Sequence, residues 1–262
     1  MPEPVTTLAP AATDRGPSPR AAVLRAEITL FRRDIFNVLL AIAFPPVLLG
    51  ILGAIPSFRE SVPELDGLRV IDLYVPVVVL ISLVTAALLI YPPILTSYRE
   101  LGILRRMSTT PVRPSTLLVT QMWLNGVMAL IASVLSVLVG RLVFDVALPR
   151  QAGGYVLVLV LAAAASLALG SLVAALARSG RHASGIGVAV YFPALFCTGL
   201  WIPVRVMPDA LATVVEFTPF GAAATALGQA AAGDWPAWSH LAVLAVWAVA
   251  ATVAAVRWFR WE

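Results

Sequence analysis

Few residues in this chain have the types and spacing that catalysis requires. The two histidines, His182 and His240, are far apart in sequence, and neither lies in an HExxH pattern or another metal-ligand spacing. The sequence has no GxSxG nucleophile motif. The acids are scattered, and the small group Glu60, Glu64 and Asp66 is more typical of a solvated loop than of a metal site. We therefore predict no catalytic residue, metal site or cofactor-binding site in this chain.

Charge, glycine and proline instead gather in the segment 96–116, TSYRELGILRRMSTTPVRPST, between two long apolar runs. We interpret this segment as a surface that binds a cleft on a partner protein. Its arginines would contact an acidic rim of that cleft, and its apolar side chains would provide buried contact area. We predict a short helix from Glu100 to Met107, ended by Thr109, Thr110 and Pro111. The alternative is that these arginines only set membrane topology and bind anionic lipid.

The composition identifies the elements that must carry this segment. The chain of 262 residues is 60% hydrophobic and 12% charged, with a mean hydropathy of +0.91. Its repeated apolar runs of about 20 residues match the length of membrane-spanning helices. The runs lack the alternation of barrel strands. We expect an all-α polytopic membrane protein with six spans and no soluble nucleotide-binding or catalytic domain.

The apolar runs divide the chain as follows. Residues 1–19 are expected to form a disordered cytoplasmic tail, and residues 20–262 are expected to form one transmembrane domain. The six spans are predicted at about 35–55, 72–95, 117–140, 152–177, 185–202 and 237–257. Pro45 and Pro46 should kink or break the first span. The single Cys197, in an apolar run, is expected to be a buried, inert thiol.

The distribution of the arginines predicts how the chain is oriented in the membrane. With a cytoplasmic N-terminus, thirteen of the 18 arginines fall inside and five outside, which satisfies the positive-inside rule. Both termini and the 96–116 loop are therefore expected in the cytoplasm. The spans are nearly free of ionisable groups, because Asp72 and Arg141 fall at span edges. That absence favours an external energy source over an ion-coupled secondary transporter, which remains the main alternative; an intramembrane lipid-modifying enzyme is a weaker one.

Residues 20–34 predict an amphipathic helix lying flat in the membrane interface. The apolar positions recur at helical spacing and the arginines fall on other faces. The alternative is a plain cytoplasmic extension of the first span. The residues assigned to this interface helix are Leu24, Arg25, Ile28, Phe31, Arg32 and Arg33.

The region 196–233 is too interrupted by Pro203, Pro208 and Pro219 for a full span, and too apolar for an ordinary loop. We predict an outer hairpin at 203–233, made of half-length helices that enter the outer leaflet and return. A folded extracellular loop with amphipathic helices is the alternative.

Two motifs in these positions carry a family resemblance. YRELGILRRM at 98–107, followed by TTPV at 109–112, looks like the coupling motif of permease subunits of type-2 ABC exporters. The stretch GLWIP at 199–203, with Met207-Pro208 and Thr218-Pro219-Phe220, is similar to that class's outer hairpin. The class includes daunorubicin-type drug exporters and polysaccharide exporters. The resemblance to drug exporters implies a role in multidrug resistance. This chain departs from the pattern at Arg105 and Arg106, where the family often has a second acid.

The resemblance implies a permease without its own ATPase site, moving a hydrophobic drug, lipid or glycoconjugate out of the cell membrane of a bacterium. Two permeases, identical or paralogous, would pair with two cytoplasmic ATPases that bind the ATP and magnesium. The interface helix and the 99–107 helix would dock on the ATPase. The implied coupling residues are Arg99, Glu100, Gly102, Leu104, Arg105, Arg106, Met107, Thr109 and Pro111. The implied outer-gate residues are Trp201, Pro203, Met207, Pro208, Pro219 and Phe220.

Overall fold

The computed structural model describes residues 24–25, 27–30, 35–61, 67–103 and 114–258, and almost all of the secondary structure in them is helical. An isolated antiparallel bridge between Ser61 and Arg69 is the exception within these ranges. The longer helices are α1 (Ile35–Ala54), α2 (Val70–Glu100), α3 (Pro114–Phe144), α4 (Ala152–Leu176), α5 (Gly180–Cys197), α6 (Asp209–Glu216), α7 (Pro219–Ala232) and α8 (Trp238–Trp258). Short 3₁₀ turns occur at Pro56–Phe58 and Val204–Val206.

Four of the described helices, namely α2, α3, α4 and α8, are long and apolar enough to cross a membrane. The pair α6 and α7 passes the same test only if the two helices count as one bent span. The predicted first and fifth spans are also helices, but they fall short of this standard. The described apolar stretch of α1 is Ala41–Ala54, and α5 begins with the polar residues Arg181 and His182. Four or five spans are therefore supported by length and composition, and the six predicted from sequence are not confirmed.

Helix α2 lies at the centre of the bundle. In its most apolar stretch 89% of the residues are buried, whereas the corresponding stretch of α8 is only 22% buried. The sequence predicted that the second span ends near residue 95, at Pro92 and Pro93. The helix instead continues to Glu100. Prolines are tolerated where the carbonyls that they leave unpaired are accommodated locally. Helix α1 also continues through Pro45 and Pro46, so these prolines do not break it.

In α2, the helix adapts to Pro92 and Pro93 one turn earlier, where Ala86–Ile90 forms a π-helix. Pro92 and Pro93 have no N–H with which to pair the carbonyls of Ala87 and Leu88. Gly170 of α4 and Gly187 of α5 pack against these two carbonyls so closely that a side-chain carbon on either glycine would overlap an oxygen. The close approach of α4 and α5 to α2 therefore depends on these two glycines. It is packing within the subunit.

Charged residues join two connections at the end of the bundle opposite Glu100. Arg69, which precedes α2, forms an ion pair with Asp72 at 2.7 Å. Its guanidinium also donates to the carbonyls of Phe144, at 2.9 Å, and Asp145 at the end of α3. Arg141 and Asp145 form a second, more exposed pair at 2.7 Å. Asp72 and Arg141 are thus paired at helix ends, as expected from their place at the span edges.

Helices α6 and α7 form a bent pair with an angle of 102° between their axes. Proline fits the first position of a helix, where its missing N–H has no intrahelical partner to lose. Pro208 precedes α6 and Pro219 begins α7. Thr218 caps α7 by accepting a hydrogen bond from the Gly221 amide at 3.1 Å. Gly221 lies directly against the Val215 carbonyl, so the bend has no room for a side chain there.

Candidate coupling site

The last turn of α2 presents three polar side chains, Tyr98, Arg99 and Glu100, to neighbouring elements. The helix ends because Gly102 adopts a positive φ of 65°, a conformation that glycine reaches without steric cost. The Leu101 amide still donates to the Ser97 carbonyl at 2.9 Å, and the Gly102 amide donates to Arg99 at 3.0 Å. The chain therefore turns sharply immediately after these three side chains.

Arg99 and Glu100 hold the connection between α4 and α5. The Arg99 guanidinium donates to the Ala177 carbonyl, just after the last residue of α4. The Glu100 carboxylate accepts a hydrogen bond from the Gly180 amide, at the first residue of α5, at 3.0 Å. A carboxylate at a helix N-terminus is also favoured by the helix dipole. The end of α2 thus binds both sides of the turn that joins the next two helices.

Small residues make this contact close. Ser179 caps α5, because its hydroxyl accepts from the His182 amide at 3.1 Å. A side-chain carbon on Gly180 would lie 2.9 Å from the Ser97 hydroxyl oxygen. A larger residue at 180 would have to displace the Ser97 hydroxyl and would crowd the Glu100 carboxylate.

A buried polar network joins the N-terminal helical residues, 24–25 and 27–30, to α2 and α3. Glu27 is only 6% exposed, and its Oε2 accepts a hydrogen bond from the Tyr98 hydroxyl at 2.8 Å. The Gln121 amide nitrogen donates to the same oxygen and lies 3.3 Å from the Tyr98 hydroxyl. One turn further along α3, the Asn125 amide donates to the Gln121 carbonyl at 2.9 Å.

Burial raises the pKa of the Glu27 carboxyl, and the hydrogen bonds from Tyr98 and Gln121 only partly oppose this effect. A buried carboxyl group is costly unless its partners satisfy it. The N-terminal segment is therefore fixed to the bundle by a specific and proton-sensitive contact. An amphipathic helix held only by its apolar face would lack such a contact.

A second group of polar contacts lies at the bend of the α6–α7 pair. The Trp247 indole donates to the Phe217 carbonyl at 2.9 Å, and the Thr225 hydroxyl donates to Glu216 at 3.2 Å. The Glu216 carboxylate faces the imidazole of His240 at 3.7 Å. The hairpin is thus attached to α8 by polar groups as well as by packing.

The family model of the ABC-2 type transporter matches residues 21–230, which include the polar contacts at the end of α2 and the hairpin residues Glu216, Phe217 and Thr225. The chain belongs to the ABC-2 type transporter family. The resemblance inferred from the motifs at 98–112 and 199–220 is therefore confirmed. A comparison with curated proteins finds no match. Together with the apolar helices, the family makes this chain a multi-pass membrane protein. ABC-2 membrane domains are transport components and carry no catalysis of their own.

The structure of this ABC-2 transporter corrects the start of the predicted coupling helix. Arg99 and Glu100 close the preceding helix α2, and Leu101 and Gly102 form a turn, so a helix does not begin at Glu100. Ile103 is again helical. The physical reason is the left-handed conformation of Gly102, which a continuous helix excludes. Outside the described residues lie Leu104, Arg105, Arg106, Met107, Thr109, Thr110 and Pro111.

The predicted interface helix is described in part. Leu24 and Arg25 are helical, and so are residues 27–30. The sequence pattern placed Ile28 on the membrane-facing apolar side of this helix, and Ile28 is 39% exposed, whereas Glu27 is buried against the bundle. Phe31, Arg32 and Arg33 lie outside the described residues.

The predicted outer-gate residues lie in and around the bent helix pair of this ABC-2 chain. Pro203 precedes the Val204–Val206 turn, Pro208 precedes α6, and Pro219 begins α7. Met207 and Phe220 are buried, at 6% and 5% exposure. Trp201 is 53% exposed. The prolines and the buried side chains therefore shape the hairpin, and Trp201 is the predicted gate residue on its surface.

Sequence reasoning missed the polar groups that hold these regions together. Glu27 and Gln121 appeared to be isolated polar residues among apolar ones, and Glu216 and His240 are 24 positions apart. An acid within an otherwise apolar helical stretch was the available signal, since such groups are retained only where they find partners. Among the described residues, no group of three or more metal-ligating side chains occurs.

Proposed function

We propose that this ABC-2 protein is the permease subunit of an ATP-driven exporter in the bacterial cell membrane. It spans the membrane six times, with α1 and α5 completing the count. Both termini and the Glu100 end of the bundle face the cytoplasm. The α6–α7 pair is a re-entrant hairpin in the outer leaflet. Two permeases and two separate ATPase subunits, which bind the ATP and magnesium, make the working transporter. The substrate is a hydrophobic drug, lipid or glycoconjugate.

The observation that carries the coupling proposal is the set of bonds at the end of α2. Tyr98, Arg99 and Glu100 bind the N-terminal segment and the α4–α5 connection. Tyr98 also lies within hydrogen-bonding distance of Gln121 on α3. A force applied to the segment that follows Gly102 would therefore reach four elements at once.

The burial of α2 supports a role for this helix as the lever. A helix surrounded on all sides cannot move without displacing its neighbours, because packed interiors transmit strain. The π-turn at Ala86–Ile90 marks a point where the helix departs from regular geometry, which is common at functional hinges. ATP-driven movement of the 99–107 region would thus be passed along α2 to Gly170 and Gly187.

The test is reconstitution. The purified chain is placed in proteoliposomes alone, or together with the ABC ATPase co-expressed with it, and efflux of fluorescent hydrophobic compounds and lipids is followed with and without ATP. ATP-dependent movement only in the presence of the ATPase supports the proposal. Ion-gradient-driven transport by the chain alone would replace it with a secondary transporter.

A further inference from the structure

The contact between Glu216 and His240 joins two elements at a bend. Glu216 ends α6, and His240 lies in the first turn of α8. The carboxylate Oε2 and the imidazole Nε2 are 3.7 Å apart, within ion-pair range but beyond a normal hydrogen bond. The other carboxylate oxygen accepts the Thr225 hydroxyl of α7 at 3.2 Å. One acid therefore contacts both arms adjoining the bend and the last helix.

Among the described residues, few other ionisable groups lie on the elements around this pair. The Val204–Val206 turn, which contacts α6 and α7, carries Arg205, and the connection between α7 and α8 carries Asp234. Helix α8 packs mainly on α4 and α7. Helix α7 carries no charged residue, and the titratable group of α4 is the phenol of Tyr155. On α8 itself the one other ionisable residue is Arg257, more than four turns away. On α6 it is Asp209, at the opposite end of that helix. The charge on His240 is therefore the main variable that Glu216 experiences.

The imidazole has little else to bind. His240 is 9% exposed, and its buried Nδ1 has no hydrogen-bond partner. One ring nitrogen is thus unpartnered in every protonation state. The difference between the states is the charge opposite Glu216: a protonated ring attracts the carboxylate strongly in an apolar setting, and a neutral ring does not. Histidine is the side chain whose charge ordinarily changes between pH 5 and 8.

We propose that Glu216 and His240 form a proton-operated latch that fixes the bend of the α6–α7 hairpin to α8. Protonation of the imidazole closes the latch, and deprotonation leaves the hairpin attached to α8 by the Trp247–Phe217 hydrogen bond and by apolar packing. The latch adds control by the pH on the hairpin side of the membrane to a transporter driven from the other side.

The direct test uses the purified full chain in lipid nanodiscs, so it does not depend on the ATPase or the substrate. In a Cys197→Ser background, spin labels are attached at Leu211→Cys on α6 and Val253→Cys on α8, both exposed positions. Double electron–electron resonance gives the distance distribution at about pH 5.5 and about pH 8.0, on either side of the usual histidine range. We expect a single short distance at low pH and a second, longer population at high pH. The ratio of the two should change by about fivefold or more, which is the lower range of typical couplings.

The controls are variants in which one ionisable side chain is replaced with glutamine. Glu216→Gln and His240→Gln should give the same distribution at both pH values, and His182→Gln, which alters the chain's other histidine, should retain the wild-type change. A distribution of the wild-type chain that does not respond to pH overturns the latch, as does a response that persists in Glu216→Gln. If His240→Gln does not fold, the latch is tested by comparing the pH responses of Glu216→Gln and His182→Gln.

A second measurement connects the latch to transport. In vesicles containing the permease and its ATPase, the pH on the ATP side is held at about 7.5 while the opposite side is varied over the histidine range. ATP turnover should fall at the acidic side in wild type and stay constant in Glu216→Gln. Complexes that hydrolyse no ATP at any pH would count against the proposed exporter, whereas the distance measurement would still decide the latch.

Discussion

The Glu100 carboxylate accepts a hydrogen bond from the Gly180 amide at 3.0 Å, although the two residues are 80 positions apart. This contact places the last residue of α2 on the first residue of α5. Because Arg99 binds Ala177 on the other side of the same connection, α2 cannot rotate at this end without moving α4 and α5. The proposed lever thus acts on main-chain groups of residues 177 and 180. Only small side chains at these two positions would preserve the contacts.

Replacing Glu100 with Gln should weaken that joint. The amide is a poorer acceptor than the carboxylate and loses the favourable interaction with the α5 dipole, a combined effect of about 1 kcal/mol at an exposed site. We expect ATP hydrolysis by the permease–ATPase complex to continue while transport per ATP falls several-fold. Glu60→Gln is the matched control, because Glu60 is an exposed acid outside the coupling site. Equal loss of coupling in both variants would contradict the role given to Glu100.

The segment after Gly102 should be sensitive to helix breaking and to charge. Ile103→Pro removes an amide N–H and restricts the backbone of Gly102 at the point where the chain resumes helical geometry. Charge reversal at Arg105 and Arg106 removes the proposed attraction to an acidic rim. Both changes should uncouple ATP hydrolysis from transport while membrane insertion, measured by protease protection, stays intact. Arg205→Glu, on the hairpin side, is the charge control, and normal transport by Ile103→Pro would refute the assignment.

The two sets of glycine contacts give a prediction about α2 itself. Gly170→Ala and Gly187→Ala would drive a methyl group into the Ala87 and Leu88 carbonyls, and overpacking of this kind typically costs about 1–3 kcal/mol. Gly185→Ala on the same helix as Gly187 meets nothing within 4 Å and should be neutral or slightly stabilising. Thermal unfolding of the purified chain measures the difference. A Gly187→Ala protein as stable as Gly185→Ala would mean that the close approach is not required.

The sequence alone was sufficient for the helical membrane class and the family. Long apolar runs and prolines leave signals that are local in sequence, so even the short helices α6 and α7 were foreseen. The end of α2 was misplaced because the helix continues past Pro92 and Pro93 by winding as a π-helix at Ala86–Ile90. The glycines that pack on this stretch, Gly170 and Gly187, lie far away in sequence. The Glu27 network could not be foreseen for the same reason: burial of an acid depends on partners from other helices.

The Glu27 contact predicts a pH dependence of defined sign. Its folded-state pKa is raised above the ordinary value of 4.5, so the folded chain binds more protons than the unfolded chain between the two values. Stability should therefore fall as pH rises through that interval and remain lower above it. Glu27→Gln, which imitates the protonated acid and keeps an acceptor for Tyr98, should be at least as stable as wild type at neutral pH and should lose this part of the pH dependence. Melting curves of wild type and Glu27→Gln between about pH 4.5 and 8 supply the comparison. A wild-type chain that gains stability relative to Glu27→Gln as pH rises would show that the carboxylate is favoured in the fold, and the assigned direction would be wrong.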